Sequence, residues 1–527
     1  MRATLALIAA TAARALVAPS IVLLLADDMG YGDPHYMGGP SLTPNLDAMA
    51  VAASTLRLMR HHSGSTTCSP TRATVMTGRV PERDCVFGPN VASDNPYQAP
   101  FSCRWPLREK APAFAQVAAH TYNYSTLFLG KWHLGDVRVT QSSPSNFGFM
   151  QWVAAQGNLP TYDAPCFCEA GSTSPCYAHK QKPACKGPTC AWQHIYPRNH
   201  GVCGIDTCFA GHLSGIDLTY DWSCRMYQSP AGAQYAMPPD LMSADLLTTH
   251  FETFLATLAP TQPFFAVIAY NEPHCPFIAS PELRAACQAK TAVCANNTAT
   301  PTSLAIDYFG ALYAVDQSIG RVRNALQAAG RRDDTLVLFS SDNGPDEFKL
   351  GGYGSTGGLS GRKRSIFEGG HRVPGLLEWP RLITANRVIT QPTSTLDWTP
   401  TFLDVLATAL PSVPQPAAVY RDGVSLLSLV LAPATWTRPQ PLPGCASLLD
   451  AQSPKTPLCE VVALIDGHMK LIGKRTTKGY VAAALFDLDK DAAELVDLRA
   501  AQPDTAANLT AQVNVIYASV LADSATC

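Results

Sequence analysis

Short apolar runs recur along the chain, and each closes on a cluster of polar residues. The run 21–25 closes on Ala26-Asp27-Asp28, and the run 125–129 on Gly130-Lys131-Trp132-His133. The run 264–269 closes on Tyr270-Asn271-Glu272-Pro273-His274, and 335–339 on Ser340-Ser341-Asp342-Asn343-Gly344. The runs are continuous rather than alternating, which predicts strands buried on both faces of a parallel sheet. Helical patterns separate them. Thr43-Pro44 opens one, with Thr43 as N-cap and Pro44 at the first helical position. Tyr308, Leu312, Val315, Ile319, Val322 and Leu326 recur at spacings of four and three, and Gly330 supplies the stop.

Strand alternating with helix predicts an α/β fold: a large mixed, mostly parallel sheet sandwiched by helices. In such sheets ligands bind beyond the carboxyl ends of the strands, so the four polar clusters are expected to converge on one site. The tail has a different pattern. A Pro-rich stretch, 411–443, reads as a connector. Runs at 460–465, 469–472 and 482–486 read as short strands, and a helix is expected around 507–521. The expected organisation is a catalytic domain over 19–410, with an insertion near 160–230, and a connector plus small antiparallel sheet and helix over 411–527.

The chain has 527 residues, 46% hydrophobic, enough for a large core and an appendage. Its formal net charge of −2 leaves no domain-wide basic excess for a nucleic acid, so affinity for an anion has to be local. Residues 1–18 read as a secretory signal peptide: Arg2, a small apolar stretch over 3–13, and Ala13-Arg14-Ala15 as the cleavage site. A membrane span over 3–26 is the alternative; Arg14 interrupts it, and 21–25 is needed as a strand. No hydrophobic anchor tail is seen in 522–527. The 17 cysteines leave 16 to pair once Cys68 is set aside. Eight lie between Cys166 and Cys224, which reads as a disulfide-knit insertion of the secretory pathway; a zinc site with His179, His194 and His200 lacks paired C-x2-C spacing. Asn123, Asn296 and Asn508 head glycosylation sequons.

Asp27, Asp28, Asp342 and Asn343 offer oxygen ligands at two strand ends. Adjacent carboxylates are costly to desolvate without a cation, and an all-oxygen set selects calcium or magnesium. Loop capping is the bland reading of either pair alone. Cys68-Ser69-Pro70-Thr71-Arg72 places Cys68 at a helix N-terminus, where an anion is favoured. Taken by itself, Cys68 is a disulfide partner or an activated nucleophile.

Cys68-x-Pro70-x-Arg72 followed by Thr77-Gly78-Arg79 resembles the signature of the formylglycine-dependent sulfatases, of the alkaline-phosphatase-like superfamily. The resemblance covers most of the chain and keeps the family's order, and it is nearest the arylsulfatase and N-acetylgalactosamine-sulfatase branch. Segments 27–33, 43–47, 130–135, His274, 342–344, Lys363 before Glu368-Gly369-Gly370, and 485–488 all carry it. The resemblance implies a sulfate ester substrate and conversion of Cys68 to an aldehyde by a formylglycine-generating enzyme. It implies a metal site of Asp27, Asp28, Asp342, Asn343 and residue 68. The hydrated aldehyde attacks sulfur; Lys131 and Lys363 hold the sulfate oxygens; His274 protonates the leaving oxygen. His133 takes the proton that releases sulfate, and Arg72 holds the diol. The insertion, and Cys275 after His274, depart from the family pattern. The competing readings are a phosphonate or phosphodiester hydrolase of the same architecture, and a non-catalytic secreted binding protein on a sulfatase scaffold.

Overall fold

The computed structural model describes residues 18–86, 88, 112–135, 137, 143–155, 226–228, 233–235, 241–274, 279–295, 304–346, 353–416, 419–446 and 459–524. The expected signal peptide (apart from Ala18), the Cys166–Cys224 stretch, Cys275 and the Asn296 sequon lie outside the described residues.

The strands are β1 (Ser20–Ala26), β2 (Thr55–Leu58), β3 (His61–His62), β4 (Ser125–Lys131), β5 (Gln151–Ala155), β6 (Met226–Gln228), β7 (Ala233–Tyr235) and β8 (Phe264–Ala269). They continue as β9 (Thr335–Ser341), β10 (Gly375–Glu378), β11 (Arg387–Ile389), β12 (Thr393–Ser394), β13 (Leu442–Cys445), β14 (Val461–Asp466), β15 (Met469–Thr476) and β16 (Gly479–Asp487). The ten-stranded sheet has the order β11-β2-β10-β9-β1-β8-β4-β5-β6-β7. Its centre, β9-β1-β8-β4-β5, is parallel throughout. Antiparallel strands flank it, β10 on one side and β6 and β7 on the other. The four apolar runs legible in the sequence are thus four adjacent central strands.

Their burial explains their composition. In β1, Ile21, Leu23 and Leu25 join one hydrophobic cluster while Val22, Leu24 and Ala26 join another on the opposite face. Each fully buried Leu or Ile side chain contributes roughly 1.5–3 kcal/mol, so both faces must be apolar. The helix Leu304–Ala328 packs on the second face, and its six periodic residues are all buried. Helices Phe114–Tyr122 and Trp398–Ala409 cover the first. Register carries this order to the strand tips: Ala26 pairs with Ser341, and Leu25 with Ala269. Asp342 and Asp27 continue the ladder through Asp342 N–H to Ala26 O (3.0 Å) and Asp27 N–H to Glu272 O (3.1 Å). Gly130 sits at φ 95°, and a Cβ there would meet Ala269 O at 1.9 Å, so only glycine lets β4 approach β8 at its tip.

The helix Pro44–Val51 starts where expected, but its capping differs. Thr43 occupies the N-cap position without a side-chain bond to the helix backbone. The buried Asp316 carboxylate takes the role from a distant helix, accepting Asn45 N–H (3.1 Å), Asn45 Nδ2 (2.8 Å) and Leu46 N–H (2.8 Å). Sequence spacing points to the nearest oxygen; tertiary packing delivers a stronger, charged one.

Beyond the large sheet, β13-β14-β15-β16 form an antiparallel sheet covered by the helix Pro503–Ser524. β13 falls at the end of the Pro-rich stretch read as connector. Its Pro443 is tolerated because β13 is the edge strand. Cys287–Cys294 and Cys445–Cys459 are disulfides, and Cys85 is disulfide-bonded as well. Among the described residues, no helix is long and apolar enough to cross a membrane.

Replacing Asp316 with alanine strands the first amides of the 44–51 helix. A loss of about 1–2 kcal/mol in unfolding free energy is expected by urea titration. An unchanged midpoint would contradict the cap.

Candidate active site

The tips of β9, β1, β8 and β4 bring Asp342 and Asn343, Asp27 and Asp28, His274, and Lys131 and His133 together. The helix Cys68–Thr77 supplies Cys68 as its first residue and Arg72 one turn on. All ten residues of that helix are buried. Gly78 closes it at φ 69°, donating its N–H to Thr74 O. Lys363 arrives from the loop before the short helix Glu368–His371.

The contacts are tight. Lys131 Nζ donates to Asp27 Oδ2 (2.5 Å) and Cys68 Sγ to Asp27 Oδ1 (3.7 Å). Arg72 grips Asp342 Oδ2 through Nε (3.1 Å) and Nη2 (2.7 Å), and donates Nη1 to Lys131 O (2.6 Å). Lys363 Nζ donates to both Asp28 oxygens (2.6 and 2.7 Å), and His274 Nε2 lies 3.5 Å from Asp28 Oδ2. Asn343 Nδ2 donates to Asp28 Oδ1 (2.6 Å). Every candidate site residue named from the sequence therefore lies in this one cluster, apart from His133, which is tied to it by charge.

Three carboxylates face two lysines and an arginine out of water, and the pKa directions follow. Burial disfavours ionisation of Asp28, but Lys363, then His274 and Lys131, outweigh it and hold that carboxyl well below the ordinary range. Burial and the neighbouring Asp27 push Asp342 up to about 6, against the pull of Arg72 and Lys131. Burial lifts the Cys68 thiol to about 12, only partly offset by Lys131 and Lys363. Burial therefore works against a thiolate at this position. Burial, then Lys131 and Arg72, keeps His133 well below the usual histidine range, and its Nδ1 is buried without a partner. Asp28 (φ 64°) and His133 (φ 53°) hold left-handed backbones that side chains seldom adopt.

Two features favour a bound cation. Donor atoms of Asp27, Asp28, Cys68 and His274 lie within 4.8 Å of one another. Asn343 Oδ1 is buried with no hydrogen-bond partner beside those carboxylates, an orphaned oxygen that a metal ion would satisfy. Cys68 is the free cysteine among the described residues, so its sulfur is not held in a bridge.

A family model described as Sulfatase matches residues 19–408. The chain belongs to the sulfatase family. It is 29% identical to N-acetylgalactosamine-6-sulfatase of Mus musculus over 80% of this chain and 68% of that protein. It is 31% identical to arylsulfatase A of Bos taurus over 81% of this chain and 70% of that protein. The fold matches the PsFucS1 sulfatase from Pseudoalteromonas sp. with a TM-score of 0.68 at 19% identity, covering 97% of this chain and 91% of that one. A phosphonate monoester hydrolase of Agrobacterium radiobacter shares the fold at a TM-score of 0.57 and 19% identity, covering 95% and 96%. This sulfatase is therefore an enzyme.

Some residues at the site were not singled out by pattern. Asp33 accepts Gly30 N–H (2.6 Å), Tyr308 OH (2.6 Å) and Ser355 N–H (2.7 Å), locking the loop after Asp28 against 355. Glu272 Oε1 accepts Ser243 Oγ and Ala244 N–H, both at 2.8 Å, tying the His274 tip to the helix Ser243–Thr257; its Oε2 has no partner. Both sit inside polar clusters that were legible, but their bonds reach across the fold.

Glu272 generates a pH prediction. Burial raises its pKa from 4.5 to about 7, against the bonds from Ser243 and Ala244. Between those values the folded chain keeps a proton that the unfolded chain has released, so this residue's contribution to stability falls as pH rises. Glu272→Gln, neutral at all pH, should exceed the parent in stability by about 1–3 kcal/mol at pH 8, with the gain shrinking toward pH 5. A pH-independent difference in urea midpoint would contradict this.

Proposed function

We propose that this sulfatase hydrolyses aryl or carbohydrate sulfate monoesters through a formylglycine made from Cys68, beside a bound calcium or magnesium ion. The observation that carries the reading is the free, buried Cys68 at a helix start, 3.7 Å from Asp27 and enclosed by Lys131, Lys363 and Arg72. Burial disfavours its thiolate; an aldehyde at that position, once hydrated, supplies an oxygen nucleophile. Asp27, Asp28, Asp342, Asn343 Oδ1 and residue 68 would hold the cation, which supplies Lewis-acid stabilisation of developing charge.

The charges make sense on this reading. Asp27, Asp28 and Asp342 are balanced by Lys131, Lys363 and Arg72. With a divalent ion as counter-charge to the carboxylates, the two ammonium groups are left to hold sulfate oxygens, and a monoester's single negative charge is met by a positive excess. His133, kept neutral by burial and then by its cationic neighbours, accepts a proton from the residue-68 side chain. His274, against Asp28, delivers a proton to the leaving oxygen. Arg72 fixes Asp342 and the β4 tip by its planar donors. The remaining proposals are a secretory route, ending outside the cell or in the lysosome, and maturation by a formylglycine-generating enzyme.

Cys68→Ala should abolish 4-nitrophenyl sulfate turnover while leaving the urea midpoint nearly unchanged; near-parental turnover would refute the nucleophile. Mass spectrometry of the residue-68 peptide should find an aldehyde, and an intact thiol or disulfide would favour a non-catalytic scaffold. Asp342→Asn should lower bound calcium and turnover together, by at least tenfold in rate. Retained metal would exclude its ligand role. Assayed side by side, an aryl phosphodiester should be turned over more slowly than the sulfate.

A further inference from the structure

Lys470 lies on β15 of the small sheet, in the apolar run Met469-Lys470-Leu471-Ile472, yet its side chain is fully buried. Its ammonium donates to Ile366 O (2.9 Å), Glu368 Oε1 (2.8 Å) and His371 Nε2 (3.1 Å), all on the segment that follows Lys363. It also pairs with Glu494 Oε1 at 2.8 Å. Glu494 Oε2 in turn accepts Glu368 N–H at 2.5 Å, at the start of the short helix Glu368–His371. Glu368 takes two more donors, Arg372 Nε (2.5 Å) and His62 Nε2 (3.0 Å).

The cluster is electrically closed. Burial opposes ionisation of Glu368, but Arg372, Lys470 and His62 overcome it and hold the carboxyl well below its ordinary range. Burial, then Lys470 and His62, keeps His371 neutral, as an acceptor from Lys470 must be. His62, Glu368 and His371 also form a compact group of the kind that binds a metal. Lys470 already bonds two of the three, so the chain provides its own cation there.

This cluster stands directly behind the site. Gly370 O accepts Gly344 N–H (2.9 Å), the residue after Asn343, and Gly369 N–H donates to Ser360 O (2.7 Å). Lys363 N–H donates to Pro345 O (3.0 Å), and Arg364 N–H to Thr66 O (2.9 Å), two residues before Cys68. The 363–372 segment is thus fastened to the β9 tip on one side and to Lys470 on the other.

We propose that Lys470 is a positioning residue for Lys363: through it the C-terminal sheet supplies the buried charge that holds the 363–372 segment, and so Lys363, in place against Asp28. The proposal rests on the sulfatase reading only for what Lys363 does in turnover. Without the ammonium, two buried carboxylates face each other across the Glu368 turn, and the turn must move or a proton must bind.

A double-mutant cycle on the purified enzyme tests this. Lys470→Met should lower kcat/KM for 4-nitrophenyl sulfate by on the order of 10- to 100-fold in the parent, but less than about threefold in a Lys363→Ala background. An equal loss in both backgrounds, or no loss, overturns the proposal, since a merely structural lysine acts alike with or without Lys363. If Lys470→Met fails to fold, Glu494→Gln replaces it, with a smaller loss that again vanishes in Lys363→Ala; an equal loss overturns the proposal. Absence of turnover in the unmutated protein would reject the sulfatase reading alone. The cycle is then read in urea midpoints: less-than-additive losses support the proposal, and additive losses overturn it.

Discussion

Three carboxylates, two lysines and an arginine meet out of water at the ends of four neighbouring strands, and much of the molecule serves that meeting. Buried charges persist only where geometry is fixed by other means. Here the fixing comes from strands buried on both faces, whose ladders run on into the tips: Asp342 bonds Ala26, and Asp27 bonds Glu272. Apolar burial along β1 and β8 thus sets the spacing of Asp27, Asp342 and His274. The left-handed backbones at Asp28 and His133 are strains that such a frame can impose.

The central strands were legible because burial on both faces leaves nothing but apolar residues between turn signals. The strand-end rule then grouped Asp27, Lys131, His274 and Asp342 without any knowledge of contacts. The helix start at Cys68 was legible from Pro70. Arg72 and Lys363 came from resemblance, since an arginine in a helix or a lysine in a basic run carries no local mark of burial.

What stayed illegible is long-range. Nothing near Thr43 announces that Asp316 caps its helix. Asp33 and Glu272 read as turn residues until Tyr308 and Ser243 come near. Lys470 did leave a trace, a charged residue inside an apolar strand, but its partners Glu368 and Glu494 lie on other elements. β13 was missed because Pro443 argues against a strand, and only its edge position removes the objection.

The helix that begins at Cys68 leaves no residue outside the core. A second protein that must seize this stretch and act on the sulfur cannot do so once the domain has closed. On the proposed reading, maturation at residue 68 has to come first and folding second. The number of active molecules is then decided during biosynthesis, by a race between a modifying enzyme and the collapse of the chain.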